Sequence, residues 1–289
     1  MAYNAEDLRA LESEYKTEEQ EIVVLFGNTD GGAVKSGGEL WEAQAYFLAY
    51  QDLKTGEIKK GDGRVAWAIS DAESKEFGSS YPHFFKDGGI YRLRVRDLLD
   101  RTVPEGRLPS FYNRFLVVEV LEANVKNAAL TAIWEDYLKP VVLKDKVFGE
   151  FTLDKHYSNF EGSLEWGGEE ICVYLDVDND DEDTWSQALE HLRSLYEQRD
   201  IKDSEFRQFA AEKLTDLANE WRENDDENED AAEITKEDFA KRISISDGLS
   251  ISADGDYSIY YDDDNMFFGH IITISGNVES GMEDADIAV

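Results

Sequence analysis

The chain has 289 residues, 42% of them apolar and 12% aromatic, with 64 acidic against 29 basic residues and a net charge of −35 at pH 7. That apolar fraction excludes a disordered acidic tail, and the length argues for about two domains. The charge is lopsided: residues 1–145 hold 25 acidic and 18 basic residues, a net of −7, which leaves −28 for residues 146–289. Such asymmetry speaks to partners and solubility rather than to fold, and it opposes binding to nucleic acid or anionic lipid. No stretch approaches the roughly 18 apolar residues of a membrane helix. Met1–Asp7 has neither a basic region nor an apolar run, so no signal peptide is expected. Cys172, the single cysteine, cannot form an internal disulfide and reads as a small buried hydrophobe in a reducing compartment. The expectation is a cytoplasmic protein that does not engage membranes.

The first half reads as mostly β. Ala5, Leu8, Leu11 and Tyr15 fall at helical spacing. Glu21–Gly27 is a strand followed by a Gly-rich loop to Gly38. Leu40–Tyr50 alternates, with Trp41, Ala43, Ala45, Phe47 and Ala49 on one face and Leu40, Tyr46, Leu48 and Tyr50 on the other. Val65, Trp67 and Ile69 mark a further strand, and Tyr91–Arg96 and Arg114–Glu122 two more. About five strands with turn signals between them fit a small barrel of the OB type or a strongly curved sheet. Leu130, Ile133, Trp134, Tyr137 and Leu138 form a helical stripe that stops before Pro140. The domains are therefore 1–140 and 146–289, with the boundary in Pro140–Lys146.

The second half begins with three strands, Phe148–Leu153, Asn159–Trp166 and Glu170–Val177, the last two joined by Gly167-Gly168, a tight hairpin signal. Two helical stripes follow, Trp185–Tyr196 and Phe206–Trp221, then an acidic run over Asn224–Glu233 that reads as a solvated loop, and a helix start with Thr235 as N-cap. Three strands close the chain: Leu249–Ala253, Tyr257–Asp262 and Phe267–Gly276. The order βββ-αα(α)-βββ predicts an antiparallel sheet with helices on one face, an α+β domain behind a β-rich one.

Phe148-Gly-Glu-Phe-Thr-Leu-Asp154, Phe160-Glu-Gly162 and Trp166 carry a resemblance. So does the ending Asp254-Gly255, Tyr261-Asp-Asp-Asp264, Phe268-Gly-His270, Ser275-Gly276 and Asp284-Ala-Asp286-Ile287. Residues 146–289 resemble the bacterial family known as domain of unknown function 2262, and residues 20–122 look like the domain often found before it. The resemblance implies a bacterial origin and carries over neither an activity nor site residues.

Several constellations could carry chemistry. Asp176, Asp178 and Asp180 have the spacing that opens a calcium loop. The sixth and twelfth positions, Asp181 and Gln187, are not the Gly and Glu that such a loop requires, and the acids read better as the start of the Trp185 helix. No metal or other cofactor is expected. Asp262, Asp264 and His270 could form a carboxylate–histidine site, although the same residues suit a hairpin turn. Asp154, Glu161 and Glu165 form a carboxylate group of very low specificity in so acidic a domain. Gly27–Gly32 lacks the lysine and following helix of a phosphate loop. Arg92, Arg94 and Arg96 lie on one face of a strand. They suit an anionic ligand, pairing with acids on neighbouring strands, or docking on the acidic second domain.

These features favour a non-catalytic bacterial binding protein whose acidic domain engages a basic protein partner, with immunity-type inhibitors as an analogy from charge alone and nucleic acid excluded. The alternative is an enzyme with a site between the domains that uses His270 and nearby carboxylates.

Overall fold

A computed structural model describes residues 5–27, 32–35, 40–77, 85–104, 109–223 and 232–288. The chain divides into two compact units, Met1–Lys139 and Pro140–Val289.

In the first unit a helix, α1 (Ala5–Glu12), precedes strands β1 (Tyr15–Phe26), β2 (Ala33–Lys35), β3 (Leu40–Asp52) and β4 (Ile58–Ser70). Helix α2 (Asp71–Phe77), β5 (Ile90–Leu98), a 3-10 turn (Pro109–Phe111), β6 (Arg114–Ala123) and α3 (Ala128–Tyr137) follow. The strands pair in the order β1-β5-β6-β4-β3, and β3 returns to pair with β1, so five strands close into a barrel. β4 and β6 run parallel and the other barrel pairs are antiparallel. With α2 between the third and fourth barrel strands, this is the OB arrangement.

The barrel interior follows from period-two alternation. Ile22, Val24 and Phe26 of β1, Val65 of β4, Tyr91, Leu93 and Val95 of β5, and Phe115 of β6 all meet Phe47 and Phe85 inside. β3 departs from the expected strict alternation. Its register against β4 slips between Phe47 and Ala49, a bulge that turns Tyr50 into the barrel and Ala49 outward against α3. A slip of one residue exchanges the two faces of a strand. Tyr15, expected at the end of a helix, instead begins β1 and packs with Leu11, Leu40 and Leu116 beneath α1.

The second unit holds β7 (Val142–Asp145), β8 (Gly149–Asp154), β9 (Asn159–Trp166) and β10 (Glu169–Asp176), then α4 (Glu182–Glu197), α5 (Arg199–Glu223) and α6 (Lys236–Arg242). β11 (Ser244–Ser252), β12 (Asp256–Asp262), β13 (Ile271–Asn277) and β14 (Gly281–Ala288) complete it. All eight strands form one sheet in the order β14-β13-β12-β11-β10-β9-β8-β7. One pairing corrects the antiparallel expectation: β10 and β11 run parallel, because the chain leaves β10, passes through three helices and re-enters alongside it. β7 occupies residues expected to be linker.

Gly167 and Gly168, at φ 62° and 90°, make the tight turn between β9 and β10, where only glycine adopts two such angles without strain. Apolar faces of α4, α5 and α6, including Leu192, Phe206, Leu214 and Phe239, pack on Phe151, Trp166, Val173, Leu249, Ile259 and Ile274 of the sheet. Gly248 has φ 123° in a bulge of β11, and a Cβ there would lie 2.2 Å from the Cys172 carbonyl oxygen. Cys172 itself is exposed, a correction to its expected burial, because alternation with Ile171 and Val173 turns it to the opposite face. Most of the acidic run, residues 224–231, lies outside the described residues.

Candidate functional site

The β5 arginines do share one face, and acids on the neighbouring elements occupy all three. Arg92 Nη2 lies 2.5 Å from Glu21, Arg94 Nη1 donates to Glu119 at 2.6 Å, and Arg96 sits between Glu12 at 3.6 Å and Glu19 at 3.5 Å. Register places these acids opposite, with Glu21 beside Arg94 and Glu19 beside Arg96. The pairs are partly exposed, so each contributes about 0–1 kcal/mol, and together they neutralise the face.

Residues 263–270 form a loop between β12 and β13, so the strand expected from Phe267 begins instead at Ile271. Asp263, 1% exposed, organises it: its carboxylate accepts the backbone N–H of Asn265 at 2.9 Å, Phe267 at 2.6 Å and Gly269 at 3.1 Å. Asp264 pairs with Arg242 at 2.6 Å, Asp262 accepts the Asp264 N–H, and the His270 ring packs edge-on against Trp221. The carboxylates and the imidazole thus point to separate partners. At the other candidate, Asp181 caps α4 by accepting the Asp183 N–H, Asp178 accepts the Asp180 N–H, and Asp176 ends β10 beside Asn159 and Ser252. Among the described residues no group of three or more His, Cys, Asp and Glu is placed to hold a metal ion.

A different arginine stands out. Arg64 of β4 points outward because its neighbour Val65 points into the barrel. Register sets Tyr46 of β3 on one side of it and Arg114 of β6 on the other. The Arg64 guanidinium carbon lies 3.6 Å from the ring centre of Phe111 and 4.7 Å from that of Tyr46. Nη1 donates to Gln44 at 3.2 Å, while Nε is buried with no hydrogen-bond partner among the described residues.

Of the described arginines on barrel strands, Arg64 alone has no ion pair with a carboxylate among the described residues. Arg114 binds Glu42, and the loop arginine Arg101 binds Asp97. Burial lowers the Arg64 pKa, with Tyr46 acting in the opposite direction. A partly desolvated cation with no counter-ion among the described residues favours an incoming anion. Phe111 is 48% exposed and Tyr46 half-buried, so two aromatic rings flank that cation at the surface. The sequence signal was the alternation of Val65 and Trp67, which fixes Arg64 on the outer face. Its ring partners depend on register and on the turn before β6.

Barrel strands two and three, β3 and β4, and the loop before β6 form the surface through which OB barrels take oligonucleotides and oligosaccharides. The Arg64 cluster lies on it. Fold and site thus define a two-domain α+β protein whose first domain is an OB-type barrel. Residues 145–287 match the family described as an uncharacterized protein conserved in bacteria, DUF2262, and residues 7–137 match a domain of unknown function, DUF7021. The chain thus carries an uncharacterised N-terminal domain followed by a DUF2262 domain.

Comparison with curated proteins returns no match. Among solved structures, a deletion mutant of the single-stranded DNA binding protein from Thermus aquaticus matches at 10% identity and a TM-score of 0.22, over 55% of this chain and 75% of that one. The expectation of a basic protein partner, with nucleic acid excluded, is corrected against that neighbour, and the exclusion itself rested on a charge summed over the whole chain. Most of that charge lies in residues 146–289, whereas the field at a binding face is set within about a Debye length, roughly 10 Å at 0.1 M salt. No helix of the described residues is long and apolar enough to cross a membrane.

Proposed function

We propose that the protein is a binding protein rather than an enzyme, and that its N-terminal barrel takes single-stranded nucleic acid across the outer face of β3 and β4. The observation that carries this reading is Arg64, a half-buried guanidinium with no carboxylate partner among the described residues, set beside the Tyr46 ring on that face. Stacking of bases on aromatic rings contributes about 1–3 kcal/mol per base and tolerates any sequence. With a single arginine facing the strand, stacking rather than phosphate contact supplies most of the affinity. A cytoplasmic location belongs to the same reading, since the exposed thiol of Cys172 suits a reducing compartment.

Fluorescence anisotropy with a labelled deoxythymidine oligomer of about twelve nucleotides tests it. Binding in the micromolar range or weaker is expected, with a log–log salt slope of about −0.7 because one arginine faces the single strand. Arg64→Ala should weaken binding about tenfold. Unchanged affinity in that variant would refute the reading.

A further inference from the structure

We infer that Phe111 is a built-in occupant of the Arg64 site: its ring holds the stacking position that a ligand base takes, and the site opens when the Pro109–Phe111 turn withdraws. The inference rests on the reading of this face as the ligand surface. At 3.6 Å from the guanidinium carbon the Phe111 ring is in van der Waals contact with it, closer than Tyr46 at 4.7 Å. Core packing does not explain this placement. Phe111 is 48% exposed and lies outside the barrel's hydrophobic clusters.

The two rings also differ in how they are held. Tyr46 sits on β3, inside the ladder that pairs it with Arg64. Phe111 sits at the end of a three-residue turn. The chain is clamped just beyond that turn, at Asn113. Its carbonyl accepts the Arg64 N–H at 2.9 Å, and its side chain accepts Arg101 Nη1 at 3.0 Å. Motion of Phe111 is therefore confined to the turn and leaves Arg64, Tyr46 and Gln44 in place.

A cation–π contact at an exposed site shifts an equilibrium about two- to fivefold, and stacking of a base shifts it further. A ligand can thus displace Phe111 at a small cost in apparent affinity. That cost is the population factor by which a self-occupied site weakens every ligand.

Two measurements on the full chain separate this inference from the reading beneath it. In the anisotropy assay with the deoxythymidine oligomer, Phe111→Ala should tighten binding about threefold while Arg64→Ala weakens it. If Phe111→Ala weakens binding as Arg64→Ala does, Phe111 is part of the ligand platform and the inference falls while the binding reading stands. The second measurement needs no nucleic acid. Phenylglyoxal modification of Arg64, followed by peptide mass spectrometry, should be slow in the wild type and at least about threefold faster in Phe111→Ala, with Arg92 as an internal reference. Equal rates would overturn the occupancy of the site by Phe111 even if no oligomer binds. Faster modification with no oligomer binding would keep the occupancy and remove the nucleic-acid reading.

Discussion

Replacing Asp263 by alanine removes one buried carboxylate and three hydrogen bonds at once. The Phe267 N–H is buried and has little alternative, so its loss costs about 1.5–3 kcal/mol, the usual range for a bond to a charged group. The Asn265 and Gly269 N–H groups are partly buried and regain water in part, adding about 1 kcal/mol together. Backbone strain partly offsets these losses. Asp264, Asn265 and Phe268 have φ of 47°, 62° and 58°, angles that non-glycine residues hold only when the surroundings impose them. Relief of that strain returns some energy, so the net expectation is about 3 kcal/mol. With a urea m-value near 2 kcal/mol/M, the second unit's midpoint should fall by about 1.5 M while the first unit's is unchanged. Asp263→Asn keeps an acceptor for Phe267 and Gly269 and should lose about a third as much. Urea unfolding followed by tryptophan fluorescence and circular dichroism reads both. A shift of less than about 0.3 M in Asp263→Ala would refute the argument that this carboxylate organises the loop.

Gly248→Ala should destabilise the second unit by about 3 kcal/mol, because the added Cβ meets the Cys172 carbonyl and φ 123° excludes it. Calorimetry should show a melting point lower by about 6–12 °C, and a change under about 2 °C would count against the clash. Tyr15→Phe should be neutral or slightly stabilising at pH 8, since the buried hydroxyl has no partner among the described residues. Burial pushes the Tyr15 phenol up to about 12, so the folded state favours its protonated form. That contribution is intact below pH 10 and is lost as pH rises from about 10 to about 12, by up to about 3 kcal/mol. Tyr257 of the second unit, also pushed up to about 12, gives that unit a parallel loss, which Tyr15→Phe should leave unchanged. Urea titrations at pH 8 and pH 11 decide the matter, and an identical decline in the variant would refute the assignment to Tyr15.

Local signals carried much of the architecture. The Gly167-Gly168 turn, the apolar stripes of α4 and α5, and the inward set Tyr91, Leu93 and Val95 were all readable from periods of 2 and 3.6. What escaped depends on register between distant residues or on weak propensity. Nothing local announces that β3 returns to β1, or that a bulge turns Tyr50 inward. β14 reads Gly-Met-Glu-Asp-Ala-Asp-Ile-Ala, poor in strand-forming residues, yet it is an edge strand, where such acids keep other chains from pairing. The site follows the same division. The arginines of β5 were conspicuous because they recur every second residue, and neighbouring acids occupy them. Arg64 was inconspicuous, since Phe111 reaches it from a turn far along the chain.

The parallel pairing of β10 with β11 also shapes how the second unit assembles. On either side of it the sheet is a four-stranded meander, β7–β10 and β11–β14, in which each strand pairs with its neighbour in sequence. Those pairings close short loops. The seam instead joins Asp176 to the strand that starts at Ser244, a closure over roughly 70 residues, and loop entropy makes it the most demanding contact in the sheet. Folding speed follows such separations, so the two meanders should form early and the seam late, as the helices settle over it. The rate-determining event in this unit is then the meeting of β10 and β11, and substitutions along the seam should slow folding more than equally destabilising ones at the outer edges.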